Sequence, residues 1–519
     1  MKGDLCDLPM IALKLANAGL DFNAPVLFLA ECVMTYMPPD DSDRLISWVS
    51  KQFPNSVFVT YEQIIPYDTF GSVMCHTLKS RNSSLLGIST YPSLKSHRER
   101  YLKLGFSHSK ICTLLEAYES ALPKQEVERV EALEEFDELE EWVIKCQHYF
   151  LLVAVNGENN LNKFSSMFLL FPPEDKLALD DEYTGQATTK LDYKQERVLY
   201  SPEINNSSSF NINKAATQRI GHSVVSCTKG DNHYLYVFGG YGGNKGQQRL
   251  DDVAVFDELK NMWVEINANG SLPSARVFHT AVATQDKMIV FGGRLSPQKP
   301  LNDFYSLKFS SHEWEKWEMS GDVICHRWRH SAVLVQNLMI IFGGRGLTDL
   351  KNQFTALNDT YVVDLNTRHV QLVKTSNPPA PRFSHSAHVF EGKMIVFGGR
   401  DNQRYFNDLH MLDLQSNTWQ LIETLGDIPK PRFSHSSNIV SLCSESTPSP
   451  VPHLLVIGGC SPLSRNEVYL LNLHTLKWHY SGDLCPVEQK ESTKIPQMLV
   501  RHVSTQVNDK IYLIGGGAL

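Results

Sequence analysis

The sequence predicts an α/β domain followed by an all-β six-bladed β-propeller. Strands and helices alternate across residues 1–155, which is typical of an α/β domain with a mostly parallel sheet. Downstream, one sequence motif recurs six times at intervals of about 50 residues, which is typical of propeller blades. Each copy contains a glycine pair, and the pairs lie at residues 239–240, 292–293, 343–344, 398–399, 458–459 and 515–516.

The repeat keeps a fixed internal register. In four copies the repeated histidine precedes the first glycine of the pair by 13 residues, as His385 precedes Gly398. Further on, a tryptophan follows an aspartate-like residue by six positions, and the third copy has Val370 in the tryptophan's place. The pattern resembles the kelch repeat and covers residues 218–519.

Each feature of the repeat has a physical interpretation. Runs such as KMIVFGG are rich in β-branched and aromatic residues, which suit an inner strand that is buried on both faces. The glycine pair lets the backbone turn where a Cβ atom would clash with the neighbouring blade. The tryptophan is expected to pack each blade against its neighbour.

The first domain can be taken element by element. GDLCDLPMIALKLANAGL predicts a short lead-in and a helix, and APVLFLAE (24–31) predicts a buried parallel strand. MPPDDSDRLISWVSKQF begins with proline and acidic residues, as helix N-termini do. The later elements are a strand at 55–63, helices around 68–80, 92–104 and 123–146, a strand at SKICTLL and a strand at 148–155.

Residues 156–217 predict a linker, because they are polar and end in NNSSSFNINK. Two apolar islands, MFLLF (167–171) and RVLY (197–200), interrupt this composition. The last repeat reaches GGGAL without strands of the NDxY and tryptophan type, and an incomplete blade exposes strand edges. The hypothesis is that a linker strand within 190–201 completes the sixth blade.

Composition limits the functional classes. The chain has 519 residues, a net charge of −8 and a pI near 6.2, which argue against a broadly basic surface that coats nucleic acid. Its 10 cysteines are scattered without a CxxC pair, and no apolar run reaches the roughly 20 residues that cross a bilayer. A cytoplasmic protein without a membrane partner is expected.

Several motifs in the first domain resemble the leucine carboxyl methyltransferase family. They are LFLAECVMTYM (27–37), SWVSKQFPN, FVTYEQIIPYDTFG (58–71) and SHRERYLKLGF (96–106), so that the resemblance covers roughly residues 1–155. Fusion of this domain type to kelch repeats resembles the branch of the family that completes wybutosine, a tricyclic guanine derivative beside the anticodon of phenylalanine tRNA.

The resemblance implies a reaction and its partners. The cofactor would be S-adenosyl-L-methionine, and the substrate would be phenylalanine tRNA carrying a wybutosine precursor. The family member methylates the side-chain carboxylate of that base and methoxycarbonylates its amino group. Because a carboxylate is already nucleophilic, the protein needs to align the reactants and exclude water, and no catalytic residue is assigned.

The resemblance also implies cofactor-binding residues. Glu31 ends the apolar strand, and ligands of open α/β sheets bind beyond the carboxyl ends of strands. Asp4 and Leu5 match a second contact of the family with the cofactor. Glu31 could instead be a solvated strand-end acid, Asp4 and Leu5 an ordinary loop, and Tyr36, which could line the pocket, a core residue.

The sequence departs from the family at its start. Family members open with substrate-gripping arginines and then a strand with a glycine-rich turn that approaches the cofactor, whereas no GxG precedes Asp4 here. The expectation is therefore a partial domain, either a truncated form or one without its cofactor half.

Three arginines follow glycine pairs in equivalent positions, namely Arg294, Arg345 and Arg400. Equivalent positions converge on one face of a propeller, where guanidinium groups suit a phosphate of the substrate. Alternatively, they pair with nearby acids such as Asp401 or are solvated.

An RxxH motif recurs in the five copies from Arg219/His222 to Arg432/His435. A circle of histidines could suggest a metal site. Residues carried by a repeat usually serve the hydrogen bonding inside each blade, and no metal is expected.

Three functions remain open from the sequence. The first is the wybutosine methyltransferase, with the propeller helping to position tRNA. The second is a non-enzymatic kelch interaction module that carries a truncated methyltransferase domain. The third is a carboxyl methyltransferase that acts on a protein C-terminus, as the propeller-free relatives do.

Overall fold

The computed structural model describes residues 3–131, 139–157, 171, 219–242, 248–347, 354–443, 449–460, 466–484 and 499–517. These residues fold into two compact units, one within residues 3–171 and one within 219–517. The predicted linker at 156–217, including the hypothetical blade strand at 190–201, lies almost entirely outside the described residues.

The first unit is a four-stranded sheet with helices on both faces. Its strands run β1 (Val26–Glu31), β2 (Ser56–Gln63), β3 (His108–Thr113) and β4 (Tyr149–Val155), in the spatial order β1-β2-β4-β3. Its helices are α1 (Leu8–Asn17), α2 (Pro39–Gln52), α3 (Thr69–Ser80), α4 (Leu94–Lys103), α5 (Leu114–Ala121), α6 (Lys124–Glu131) and α7 (Leu139–Gln147), with a 3₁₀ turn at Met34–Tyr36.

Strand direction follows the α/β prediction with one reversal. β1 pairs in parallel with β2, whereas β4 runs antiparallel to both β2 and β3, so three of the four strands point the same way. The strand predicted at SKICTLL is shorter in the structure and ends at Thr113. Thr113 caps α5 by accepting from the Glu116 N–H, while the Glu116 carboxylate accepts from the Thr113 N–H.

The expectation that β1 is a buried strand holds for one of its faces only. Phe28 and Ala30 point into the core with Phe53 and Phe58, but Leu27 and Leu29 on the other face are 61% and 71% exposed. β1 is the edge strand of the described sheet, and an edge strand takes on an alternating burial pattern when only one of its faces is covered.

The second unit is the six-bladed propeller that the repeat predicts. The first strands of successive blades lie side by side, and the first strand of blade 6 returns to that of blade 1, so the ring closes. The blades consist of 223–229, 232–238, 253–257 and 262–265 (blade 1); 280–283, 287–291, 304–308 and 313–317 (blade 2); 331–335, 338–347, 354–364 and 369–373 (blade 3); 386–390, 393–397, 409–413 and 418–422 (blade 4); 436–442, 451–457, 467–472 and 477–483 (blade 5); and 503–507 and 510–514 (blade 6).

Short two- and three-residue strands complete the described part of the propeller. Three of them pair in parallel with the outer strand of the following blade and so extend its edge. The short strands are 219–220, 241–242, 248–249, 269–270, 294–296, 299–300, 320–321, 327–328 and 425–426.

The glycine pairs are where neighbouring blades meet. A Cβ atom on Gly398 would lie 2.9 Å from the carbonyl oxygen of Arg432 in the next blade, and φ there is +64°. The second glycine of every pair donates its N–H across the same boundary at 2.8–3.0 Å. The acceptors for Gly240, Gly293, Gly344, Gly399, Gly459 and Gly516 are the carbonyls of Arg276, Arg327, Arg382, Arg432, Leu499 and Arg219.

The repeated tryptophans pack each blade on the preceding one, as predicted. The rings of Trp314 and Phe238 are 4.9 Å apart between centroids, and Trp419 lies 4.8 Å from Phe342. Val370 takes this position in blade 3 and packs in one cluster with Phe291 of blade 2. Large apolar side chains therefore fill the space between blades, and they stabilise the ring by burial.

The two residues of the RxxH motif have different roles. Each arginine binds an acid and a glycine carbonyl inside its own blade, with ion pairs of 2.6–2.9 Å to Asp252, Asp303, Asp359, Asp408 and Glu467. The histidines instead join neighbouring blades. In four copies of the motif, and at His502 of the sixth copy, Nε2 hydrogen-bonds a hydroxyl of the preceding blade at 2.7–2.9 Å. The expectation of hydrogen bonding inside each blade thus holds for the arginines and is wrong for the histidines.

We predict that Gly398→Ala destabilises the propeller far more than Gly392→Ala. Both glycines have φ near +70° (+64° and +72°), which costs alanine about 1 kcal/mol, but a Cβ on Gly392 has nothing within 4 Å. The clash at Gly398 should add about 1–3 kcal/mol. Urea unfolding of both variants measures the difference, and equal losses of unfolding free energy would contradict the proposed role of the glycine pair.

We predict that the propeller loses stability on mild acidification. Burial lowers the pKa of His222 and His385 to about 3 and of His502 to about 4, while an unfolded histidine titrates near 6.5. The unfolded chain thus binds more protons below pH 6.5, and each such histidine should cost about 1.4 kcal/mol per pH unit as the pH falls from there toward 4.

Thermal unfolding between pH 7.5 and 5 measures this dependence. His385→Asn should remove about one proton from the slope. His474→Asn should leave the slope unchanged, because that side chain is exposed on the surface. An unfolding temperature that does not vary with pH in this range would contradict the prediction that the buried histidines destabilise the propeller on acidification.

Candidate functional site

The candidate cofactor site lies at the carboxyl ends of β1 and β2. β1 ends at Glu31, whose side chain is exposed, and its register partner on β2 is Tyr61. In α/β sheets, ligands bind in the crevice beyond the carboxyl ends of strands. The structure thus puts the predicted Glu31 where this fold accepts ligands.

The turn that follows Glu31 is held by a buried carboxylate that the sequence analysis missed. Glu62 is fully buried and accepts from the N–H groups of Val33 (2.9 Å), Met34 (2.7 Å) and Thr35 (3.2 Å), and from the Thr35 hydroxyl (2.6 Å). These donors begin the 3₁₀ turn at Met34–Tyr36, so Glu62 neutralises the positive end of that turn. An acid on the core face of an apolar strand was the signal for this role.

Cys32 makes the bend between β1 and the turn. Its φ is +51°, in the left-handed region, and Gln63 Nε2 donates to its Sγ at 3.5 Å. Burial, with the neighbouring Glu62 carboxylate, raises the pKa of the Cys32 thiol to about 11. A pKa this high favours the protonated thiol at neutral pH, and we assign no nucleophilic role to Cys32.

Aromatic rings form one wall beside this bend. Tyr61 and Tyr149 are half-buried and stack with centroids 5.2 Å apart and planes 16° from parallel. Burial raises the pKa of Tyr61 to about 12 and also raises the pKa of Tyr36. Neutral aromatic faces beside the Glu31 carboxylate can accept a planar base, a cation or ribose hydroxyl groups.

The segment after β2 is strained and tightly packed. Ile65 has φ +58°, which is rare for a β-branched residue, and a Cβ on Gly71 would lie 1.9 Å from the Ile65 carbonyl oxygen. Asp68 caps α3 through the Gly71 N–H and hydrogen-bonds His148 Nε2 at 2.9 Å, with both side chains buried. Strain of this kind is typical of functional loops.

The structure does not join the two predicted parts of the cofactor site. Asp4 folds back on the Cys6 N–H at 2.9 Å, and Leu5 is an exposed residue in the turn before α1. Among the described residues, no hydrogen bond or ion pair connects Asp4 with Glu31. The contribution of Asp4 and Leu5 stays a prediction.

The three propeller arginines lie against aromatic rings. The Cζ atom of Arg294 is 5.5 Å from the Trp328 ring, and that of Arg345 is 5.5 Å from the Phe383 ring. Arg400 also faces Phe383 at 5.6 Å and, like Arg294, is buried. The structure therefore brings Arg345 and Arg400 to one ring, in agreement with convergence on one face.

The alternative of an ion pair with Asp401 does not describe Arg400. Arg400 Nε donates to the backbone carbonyl of Asp401 at 2.8 Å, whereas the Asp401 carboxylate receives the guanidinium of Arg404 at 2.9 Å. Within the described residues, no three His, Cys, Asp or Glu side chains are grouped so as to hold a metal ion. No helix in the described ranges has the length and apolar character needed to cross a membrane.

Comparison with known proteins extends over both units. The family model of the KLHDC2/KLHL20/DRC7 Kelch-repeats domain matches residues 189–346, 221–440 and 279–516, and that of leucine carboxyl methyltransferase matches residues 4–50. The chain is 28% identical over 531 residues to tRNA wybutosine-synthesizing protein 4 of Homo sapiens, with 97% of this chain and 71% of that protein covered.

Two further relatives bear on the function. The Rattus norvegicus protein of the same name is 29% identical over 481 residues, with 88% of this chain and 65% of that protein covered. Leucine carboxyl methyltransferase 1 of Bos taurus is 39% identical over 158 residues, which are 30% of this chain and 47% of that protein. The chain thus spans 65–71% of the length of the two relatives that it matches along both units.

We predict that Glu62→Gln loosens the turn after β1 while Glu31→Gln leaves it intact. An amide at position 62 cannot accept four hydrogen bonds, and loss of charged hydrogen bonds in a buried site should cost about 3 kcal/mol. Hydrogen exchange of the Met34 and Thr35 amides should speed up in the first variant only. Equal protection in both variants would show that Glu62 does not hold the turn.

Proposed function

We propose that this chain, which belongs to the kelch-repeat family, is a methyltransferase of wybutosine synthesis on tRNA. The observation that carries the proposal is similarity to human tRNA wybutosine-synthesizing protein 4 along 97% of this chain, which takes in both units. A kelch propeller alone serves many functions, so the domain order adds the specificity that a fold lacks.

The residues at the ends of β1 and β2 fit the cofactor of such an enzyme. S-adenosyl-L-methionine would supply a methyl group on a sulfonium, which a carboxylate substrate takes by displacement without a general base. Glu31 would accept hydrogen bonds from ribose hydroxyls, and the Tyr61 and Tyr149 faces would cover a base or the sulfonium charge. Asp4 and Leu5 would add the second contact that the resemblance implies.

The substrate would be phenylalanine tRNA carrying a wybutosine precursor. The chain would methylate the side-chain carboxylate of the modified guanosine and methoxycarbonylate its amino group. Arg294, Arg345 and Arg400 would bind a phosphate of this RNA at the propeller. Scattered cysteines without a CxxC pair support a cytoplasmic location for this reaction.

A second candidate is methylation of a protein C-terminal carboxylate. It is favoured by the higher identity, 39%, of the first unit to Leucine carboxyl methyltransferase 1 of Bos taurus. The third candidate, a non-enzymatic kelch interaction module, would require that the first unit bind no cofactor.

The first test is calorimetric binding of S-adenosyl-L-methionine to the full chain. Glu31→Gln should weaken binding about 10- to 100-fold, because a charged hydrogen bond to the ligand contributes about 1.5–3 kcal/mol. Glu99→Gln is the matched control, since Glu99 is a surface acid on α4 that pairs with Lys103. Equal binding by the Glu31 variant would remove Glu31 from the site.

Transfer of a labelled methyl group then separates the candidate functions. Label in phenylalanine tRNA that carries the precursor supports the wybutosine enzyme, and label in a protein ending in leucine supports the second candidate. Absence of both cofactor binding and transfer would leave the interaction module.

A further inference from the structure

The residue before the repeated histidine forms a ring of its own around the propeller axis. In all six copies this residue has a positive φ, between +55° and +64°. Each N–H after the first donates to the carbonyl of its counterpart in the preceding copy, at 2.7–3.0 Å. We name this set the axial ring, and its members are Gly221, Phe278, Arg329, Ser384, Ser434 and Arg501.

Two arginines of the axial ring meet over one phenylalanine. The Cζ atom of Arg329 lies 4.2 Å from the centroid of Phe278, and that of Arg501 lies 5.7 Å from it. Arg294, from the glycine-pair position of blade 2, reaches the same ring at 5.3 Å. Arg329 and Arg501 belong to blades 3 and 6, which lie opposite each other in the six-bladed ring. Because both side chains reach the same phenylalanine, they converge near the propeller axis.

Arginine side chains are concentrated at this end of the propeller. The five arginines of the RxxH motif are each matched by an acid of the same blade. Arg294, Arg329, Arg345, Arg400 and Arg501 add five further guanidinium groups at the same end of the ring.

The two axial arginines are nearly desolvated, at 9% exposed for Arg329 and 6% for Arg501. A guanidinium in such surroundings interacts with an oxyanion more strongly than one in water, because water screens the attraction less. Arg329 Nη1 also donates to the Ser384 hydroxyl at 3.1 Å, which fixes its orientation. The site is therefore preorganised.

We propose that the axial ring binds a phosphate group of single-stranded RNA, with Arg329 and Arg501 on the phosphate oxygens and the half-buried Phe278 against the adjoining nucleotide. Three guanidiniums around one point match a phosphate, which carries more charge and more acceptor oxygens than a carboxylate. An aromatic ring beside the charge suits stacking of an unpaired base.

The inference rests on the proposed function for the choice of RNA as the ligand, whereas the anion site rests on the axial ring itself. It adds two ligand-binding arginines and an aromatic platform to the Arg294, Arg345 and Arg400 set. It also places the phosphate at the axis rather than on the outer loops.

The experiment measures binding of a 5′-phosphorylated RNA pentamer to the full chain by calorimetry at two salt concentrations. Arg329→Gln and Arg501→Gln should each weaken binding at least 10-fold and reduce the salt dependence by about one released counterion. Arg404→Gln is the matched control, because this exposed arginine in the same blade-end loops of blade 4 is already paired with Asp401. It should change binding less than 2-fold.

Three results would overturn the proposal. An equal loss in Arg404→Gln would show general attraction to a basic surface. Binding of a peptide with a free carboxylate, but not of the pentamer, would make the site one for protein C-termini. If inorganic phosphate displaces the pentamer and the bases of the RNA add nothing to its affinity, the site is one for a free anion.

Two additions keep the result interpretable. If either glutamine variant fails to fold, Arg329→Lys and Arg501→Lys retain the charge but lose bidentate geometry, and they should weaken binding several-fold. Methyl transfer to tRNA is measured in parallel. If methyl transfer to tRNA occurs but neither arginine substitution changes RNA binding, the axial site is rejected and the proposed reaction stands. If the arginine substitutions weaken RNA binding but no methyl group is transferred, the proposed reaction is rejected and the axial site stands.

Discussion

The propeller depends on one contact, repeated at every boundary between blades. A backbone N–H of the second glycine reaches the carbonyl at the arginine position of the next copy, and the first glycine has no Cβ because that carbonyl lies within 3 Å of where the atom would be. This close backbone contact sets the distance between neighbouring blades. At that distance a tryptophan side chain fills the space between them, and a histidine reaches a hydroxyl of the preceding blade. The arginine is held by its acid, so the same side chain keeps its own carbonyl in place as the acceptor.

The boundary between blade 6 and blade 1 is built differently. His222 would find its partner at the position of Val503, which has no hydroxyl, and the axial ring is linked by five hydrogen bonds rather than six. This boundary keeps the glycine contact, from Gly516 to Arg219, and adds an ion pair of 2.9 Å between Lys510 and Glu258. Phe256, Tyr512 and Ile514 supply apolar packing there. Where its first and last copies meet, the repeat thus lacks the histidine–hydroxyl bond and one axial hydrogen bond, and contacts of side chains that occur once take their place.

Repeated features of this chain could be predicted from its sequence, whereas features that occur once could not. The blades, the glycine turns and the tryptophan packing could be predicted because each feature recurs in several copies of the repeat. The constant spacing of these features within the repeat makes a chance match implausible. For Glu62 the sequence carries only part of the information: an acid on the core face of a strand indicates a buried partner, but the fold alone brings the turn that donates to it alongside. The exposure of Leu27 and Leu29 likewise depends on what lies beside β1 in space, which an apolar run does not record.

The two candidate sites share one property, which is strained backbone conformation. In the first unit, Cys32 and Ile65 adopt left-handed conformations at the ends of β1 and β2, on either side of Glu62 and Gln63. In the propeller, Phe278, Arg329 and Arg501 do so at the axis. Side chains with a branched or bulky Cβ rarely accept this conformation, and a fold maintains it only where surrounding hydrogen bonds outweigh its cost. Such bonds exist at both places. The N–H groups of the turn donate to Glu62, and each axial N–H after the first donates to the carbonyl of the preceding axial residue. Hydrogen bonds of the backbone thus maintain left-handed residues at both candidate sites, at Cys32 in the first unit and around the axis in the propeller.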